Sequence, residues 1–298
     1  MNDRANRAEQ TTDPSPTIAV ALGGGGARGL AHVVVLESLD ELGLRPTALA
    51  ATSFGAVIGA AYAAGMPARA IRRYIVASLS NHSQVMTKFM RARTGKFSDL
   101  LLRGRGNPVQ IDPQICLEQF WPAEIPDQFE QLSIPLQVVA TDFHACSELV
   151  FSSGSVAPAV AASIAIPGIF APVELAGRVL IDGGAVNPLP YDLLFDRAKL
   201  VVAVDVTFGG AMRSRRTPTF LGAVSGAAQI MQGAITAQKI KRQAPGLLIR
   251  PPVDRFGLLD FLHAGQIMRE AEAGKDAIKR AIAQRIEALQ QTGNDLLP

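Results

Sequence analysis

The sequence predicts an α/β protein in which a mainly parallel sheet is covered by helices on both faces. Three observations predict it. Short apolar runs alternate with helical patterns, as strand–helix units require. Several apolar runs end in Gly or Ser turns. KLVVAVDVTF (199–208) is nearly continuous in Val, the mark of a strand buried on both faces.

The elements follow in order. TIAVAL (17–22) is a buried strand ending in glycines, and GLAHVVVLESLDELG (29–43) is a helix with Leu30, Val33, Val34, Leu36, Leu39 and Leu42 near helical spacing and Gly43 as its stop. Residues 47–52 form a second strand, residues 54–64 a small-residue helix, and a further helix follows Pro67. PLQVVATDF (135–143), ELVFSS (148–153) and RVLID (178–182) read as strands, the last ending in Gly183-Gly184. Residues 219–243 and 258–290 read as helices with GLLIR (246–250) as a late strand between them. With no internal repeat or low-complexity linker, residues 17–298 read as one domain behind a polar tail, 1–16.

Composition excludes several classes. A chain of 298 residues with 48% apolar and 18% charged residues has ample core and is far from disorder. A formal charge of +3, spread along the chain, does not suit a nucleic-acid binder. The two cysteines, Cys116 and Cys146, lie outside any C-x-x-C or Cys/His cluster, which argues against structural zinc and disulfides and fits a reducing compartment. No apolar stretch follows the basic residues of the N-terminus as a secretory signal needs, so a cytoplasmic location is expected. Residues 46–68 and 155–173 are uncharged and mimic membrane spans. The first is mostly Ala, Gly and Thr, and the second is broken by Pro158, Pro167 and Pro172, so both are expected in a core.

In parallel sheets, sites lie beyond the carboxyl ends of strands. GGGGARG (23–29) joins the first strand to the first helix, where unpaired amides and the helix dipole suit an anion. Gly24, Gly26 and Gly29 also satisfy G-x-G-x-x-G, but the second strand ends Ala50-Ala51-Thr52-Ser53 without the acid a dinucleotide ribose needs. Ser53 sits in a strand-to-helix turn, Ala51-Thr52-Ser53-Phe54-Gly55, that would lift its hydroxyl clear of the sheet; a helix N-cap is the plainer role for such a serine. Of the four histidines, His32 and His263 fall in helical patterns and His82 and His144 in polar loops; a Ser…Asp…His order ending at His263 is formally available. Asp182, ending RVLID at the same sheet edge as Ser53, is the stronger base, its pKa raised by desolvation; the plainer role for it is a turn cap.

Four blocks in order, GGGGARG (23–29), TSFGA (52–56), AASIAIPGIFAPVE (161–174) and DGGAVNPLP (182–190), resemble the patatin-like phospholipases and the catalytic domain of neuropathy target esterase. The resemblance implies a three-layer α/β/α sandwich and a Ser-Asp dyad without histidine. It makes Ser53 the nucleophile and Asp182 its base. The amides of Gly24, Gly25 and Gly26 become the oxyanion hole, with Arg28 ordering that loop. It implies cleavage of phospholipid or lysophospholipid esters through an acyl-enzyme, with no metal or organic cofactor. Two departures stand out: Ala51 replaces the first elbow glycine, and His144-Ala145-Cys146 replaces the usual Thr-Gly-Glu turn. The alternative is a catalytically quiet lipid-binding module that keeps the anion loop.

Residues 85–106 mix Lys88, Arg91, Arg93, Lys96, Arg103 and Arg105 with large apolar residues against one acid, Asp99. That composition suits the boundary of an anionic membrane, so a lid or peripheral docking element at the inner membrane surface is expected; an ordinary covering helix is the plainer reading. The long C-terminal helical segment offers a face for pairing with a second copy.

Overall fold

The computed structural model describes residues 16–93, 110–207 and 217–294. Its eight strands form one mixed sheet: β1 (Ile18–Leu22), β2 (Ala48–Thr52), β3 (Leu136–Asp142), β4 (Ser147–Phe151), β5 (Val173–Leu175), β6 (Arg178–Asp182), β7 (Leu200–Val204) and β8 (Leu247–Ile249). The helices described are α1 (His32–Glu41), α2 (Phe54–Ala63), α3 (Ala68–Leu79), α4 (His82–Arg91), α5 (Pro113–Glu118), α6 (Val156–Ser163), α7 (Phe220–Arg242), α8 (Ala264–Ala273) and α9 (Lys275–Asn294). Strands β3-β2-β1-β7-β8 run parallel. The expected tail and residues 94–106 of the basic segment fall outside the described residues, apart from Pro16.

Alternation along the central strands separates two cores. Val20 and Leu22 of β1, Leu49 and Ala51 of β2 and Val202 and Val204 of β7 face α1, α2 and α9 through residues such as Leu36, Ile58 and Ile282. The opposite positions, Ala19, Ala21, Ala48, Ala50 and Ala203, face Leu189, Tyr191 and Leu194, with Ile240 of α7 packed beside them. Methyl side chains on that face let residues 189–194 lie close to the sheet. The sheet is thus flanked by helices on both faces, the layered α/β architecture expected.

Some elements differ from expectation, and α5 and β5 are additional to those expected. The helix expected over 29–43 begins as a 3-10 turn, Gly26–Ala31, before α1. The helix expected over 258–290 is a 3-10 turn, Phe261–His263, then α8 and α9, interrupted at Gly274. Within the mainly parallel sheet, β6 runs antiparallel to β3. Residues 46–68 become β2, the buried α2 and the turn into α3, while α6 stops at Ser163 before Pro167. Among the described residues, no helix is long and apolar enough to cross a membrane.

The direction of β6 brings the site together. Residues Val138–Asp142 of β3 pair with β4 along one edge, so β2, opposite Leu136–Val139, and β6, opposite Ala140–Asp142, share the other edge. Thr52 sits opposite Val139 and Asp182 opposite Ala140. The carboxyl ends of β2 and β6 therefore meet head-on at neighbouring positions of one strand.

α2 must pack tightly behind that junction. A Cβ on Gly55 would lie 2.4 Å from the Leu22 carbonyl oxygen, whereas a Cβ on Gly59 would lie 3.3 Å from the Ala51 methyl. The bare Cα at 59 makes room for the alanine that replaces the first elbow glycine, and Ala51 itself is fully buried without a positive φ. Overpacking costs about 1–3 kcal/mol, and only Gly55 faces rigid backbone. Gly55→Ala is expected to lose stability in that range by urea unfolding and Gly59→Ala distinctly less; equal losses would refute this account of the packing.

Candidate active site

The Ser53 hydroxyl donates to Asp182 Oδ2 at 2.5 Å, and both residues are buried. Ser53 adopts φ 55° and ψ −130°, a conformation costing about 1–3 kcal/mol for a non-glycine residue. Its neighbours hold it there. The Ser53 amide donates to Ser163 Oγ at 2.8 Å, Ser163 Oγ donates to the Val139 carbonyl at 2.6 Å, and the Ser53 carbonyl accepts from the Ala56 amide at 2.8 Å. As an N-cap, Ser53 would accept an amide of α2 through its side chain. It makes no such bond and turns to Asp182 instead.

Asp182 is fixed on both carboxylate oxygens. Oδ1 accepts from the Gly184 amide at 2.7 Å while Oδ2 takes the serine hydroxyl, and the Asp182 carbonyl accepts from Thr141 Oγ1 at 2.9 Å. Glycine is required at 183: a Cβ on Gly183 would lie 2.2 Å from the Val139 carbonyl oxygen. Asp182 thus caps its turn through one carboxylate oxygen and takes the serine hydroxyl on the other. Burial raises its pKa to about 6 against the lowering effect of the Ser53 and Gly184 hydrogen bonds.

The glycine loop lies beside the serine; a Cβ on Gly24 would be 3.3 Å from Ser53 Cβ. The three amides are not equivalent. Gly24 N–H donates to the Pro188 carbonyl at 2.8 Å, which removes it from the expected oxyanion hole: this amide holds the loop. The amides of Gly25 and Gly26 have no acceptor among the described residues, so they are the two left to receive an anion. Side chains are barred at both. A Cβ on Gly25 would lie 2.5 Å from the Val206 carbonyl oxygen and one on Gly26, at φ +57°, 2.2 Å from that of Leu258. Arg28, almost fully buried, donates to the Val206 carbonyl at 3.0 Å and to Gln229 Oε1 at 2.9 Å, tying the loop to the segment after β7 and to α7.

The histidines stand elsewhere. His32 is fully buried under the loop, where its Nε2–H donates to the Gly23 carbonyl at 2.8 Å and burial pushes its pKa down to about 4, so it is neutral. His263 and His144 are exposed. The partner of the Ser53 hydroxyl is Asp182, which leaves the His263 arrangement without a contact. Among the described residues, no three His, Cys, Asp or Glu side chains converge as metal ligands. Ser163 escaped sequence reasoning although it is the one polar residue in the run 156–166, and Thr52, whose hydroxyl donates to the Asn187 carbonyl at 2.8 Å, escaped it too.

A cavity of about 420 Å³ begins at Ser53 and Gly26 and extends between α2, α3, α4 and residues 259–262. Val57, Ile58, Ile75, Phe89, Phe120 and Ile164 line it, and among the described residues no charged side chain does. A second, more open concavity of about 600 Å³ is lined by Glu37, Asp40, Glu41, Arg45 and Arg69 and contains none of these site residues.

Residues 20–195 match the family model described as patatin-like phospholipase. The chain belongs to the patatin-like phospholipase family. Among its relatives in that family, an uncharacterised NTE family protein of Mycobacterium bovis is 37% identical over 199 residues, covering 64% of this chain and 49% of the relative. Patatin-like phospholipase domain-containing protein 6 of Mus musculus is 33% identical over 196 residues, covering 64% of this chain and 13% of that protein. The chain thus spans about half or less of the curated relatives it matches. The crystal structure of VipD from Legionella pneumophila aligns with 90% of this chain and 67% of its own, at TM-score 0.48 and 15% identity. In this member of the family the matched region holds Ser53, Asp182 and the glycine loop, while α7, α8 and α9 follow it.

The raised pKa of Asp182 has a definite sign. Below about 6 the carboxyl is protonated and cannot accept the serine proton; above it the acceptor is present. The rate at which Ser53 is labelled by a fluorophosphonate is expected to rise with pH through an apparent pKa of about 6 and then level off, and Asp182→Asn should remove that limb. A flat profile from pH 4.5 to 8 would contradict it.

Proposed function

We propose that this protein is a lipid acyl hydrolase that cleaves carboxylic esters of phospholipids or lysophospholipids. The observation that carries the proposal is a serine–carboxylate contact of 2.5 Å whose serine lines a cavity with no charged side chain among the described residues, with two unbonded amides beside it. Ser53 Oγ attacks the ester carbonyl as its proton passes to Asp182. The carbonyl oxygen gains negative charge facing the Gly25 and Gly26 amides, where loss of one such donor typically costs about 10²–10³ in rate. Asp182 returns the proton to the departing alcohol, and water then cleaves the acyl-serine with Asp182 again as base. The scheme uses no metal or organic cofactor.

The cavity gives the acyl chain its place. Each methylene taken out of water contributes about 0.8 kcal/mol, or roughly fourfold in an equilibrium or rate. Across a p-nitrophenyl ester series, kcat/KM is expected to climb by up to about fourfold per added methylene until the cavity is filled. Ser53→Ala should lower turnover on the order of 10⁴-fold and abolish fluorophosphonate labelling. Unchanged turnover in Ser53→Ala would overturn the proposal, and wild-type protein that neither labels nor turns over would leave a non-catalytic lipid-binding module.

We further propose that the substrate comes from a lipid surface met by the rim of the same cavity. Met86 of α4, Leu259 and Leu262 are 57%, 47% and 44% exposed yet line the cavity, an arrangement that puts apolar side chains in water unless they meet lipid. Of the cations expected to assist, Arg91 and Arg93 are exposed, whereas Lys88 Nζ donates to the Gln119 carbonyl at 2.7 Å over the Phe120 ring and is occupied internally. Met86→Asp with Leu262→Asp is expected to reduce co-sedimentation with anionic vesicles severalfold while sparing hydrolysis of a short soluble ester. Undiminished vesicle binding would remove the rim from the proposal, and equal wild-type binding to neutral vesicles would remove its electrostatic part.

A further inference from the structure

Three consecutive carbonyls just after Asp182 each hold a different part of the site. The Asn187 carbonyl accepts from Thr52 Oγ1 at 2.8 Å, the Pro188 carbonyl from the Gly24 amide at 2.8 Å, and the Leu189 carbonyl from Lys239 Nζ at 3.0 Å. Thr52 precedes the nucleophile, Gly24 opens the anion loop, and the same segment begins with the base. The lysine of α7 also donates to Asn187 Oδ1 at 2.5 Å and to Asp192 Oδ1 at 2.5 Å, which uses all three of its N–H groups. It is 20% exposed and sits 5.0 Å above the Tyr191 ring. The Asn187 amide in turn donates to Glu148 at 2.7 Å and to Asp192 at 3.2 Å, so its side-chain orientation is fixed. Ten positions earlier on α7, Gln229 accepts from Arg28 of the glycine loop at 2.9 Å.

We propose that α7, which lies beyond the family-matched residues 20–195, is a clamp on the catalytic elements, with Lys239 as a positioning residue that locks segment 187–189 and thereby sets Ser53 and the glycine loop relative to each other. Lys239 lies behind the site and acts through the backbone. Replacing it with Met preserves length and bulk but leaves the Asn187 Oδ1, Leu189 and Asp192 acceptors without their common donor. The segment then relaxes, and a displacement of about 1 Å at reacting groups can cost on the order of 10²-fold. The kinetic consequence rests on the hydrolase proposal above; the consequence for the backbone does not.

The test reads both. In Lys239→Met, and in the milder Lys239→Gln, kcat on a short ester is expected to fall about 10- to 100-fold with KM within about twofold. Amide exchange at Gly24, whose N–H reports the Pro188 contact, should speed at least about tenfold while β8 exchanges as in wild type; Lys239→Arg should restore part of both. Unchanged Gly24 exchange in a folded variant would overturn the clamp. So would exchange accelerated equally in all strands, which marks a general loss of stability. If wild-type protein neither labels nor hydrolyses while Gly24 exchange still responds to Lys239→Met, the hydrolase proposal fails and the clamp stands.

Discussion

Register on a single strand governs the arrangement of this molecule. β2 and β6 approach β3 along one edge from opposite directions, and their last residues fall opposite Val139 and Ala140. Two side chains separated by 129 positions in the chain are thereby held at 2.5 Å by sheet hydrogen bonds. The Thr141 hydroxyl donating to the Asp182 carbonyl and the Ser53 amide donating to Ser163 Oγ stiffen the same junction, so the strained backbone at Ser53 has several independent restraints. A hydroxyl and a carboxylate hydrogen-bonded in a buried site need such restraint, because a small separation would weaken the bond and leave each with an unmet polar demand.

The electrostatics follow from the same burial. Desolvation makes Asp182 a stronger proton acceptor than an exposed aspartate, and it makes His32 neutral, so the loop above it feels no added positive charge. The polar work in this small volume is divided between groups that hold shape and groups left open. Gly24 belongs to the first set; Gly25 and Gly26 belong to the second.

Sequence reasoning reached the parts of the site that are local. A serine and an aspartate at strand ends, and a glycine run between a strand and a helix, carry their signal within a few residues. The direction of β6 was hidden because an apolar run has no polarity of its own. The fate of the Gly24 amide was hidden because its acceptor is Pro188, far along the chain. Lys239 and Gln229 read as ordinary polar positions of a long helix; only the packing of α7 against residues 184–194 and the glycine loop distinguishes them. The break at Gly274 was missed because apolar spacing continues on either side of it.

The fit between Ala51 and Gly59 has a consequence for how such elbows are recognised. The Ala51 methyl on the strand faces a bare glycine on the neighbouring helix, where a Cβ at 59 would come within 3.3 Å of it. The room behind this serine turn depends on two positions eight residues apart, and a search pattern written as a fixed glycine before the nucleophile would discard a chain that accommodates its turn in this way.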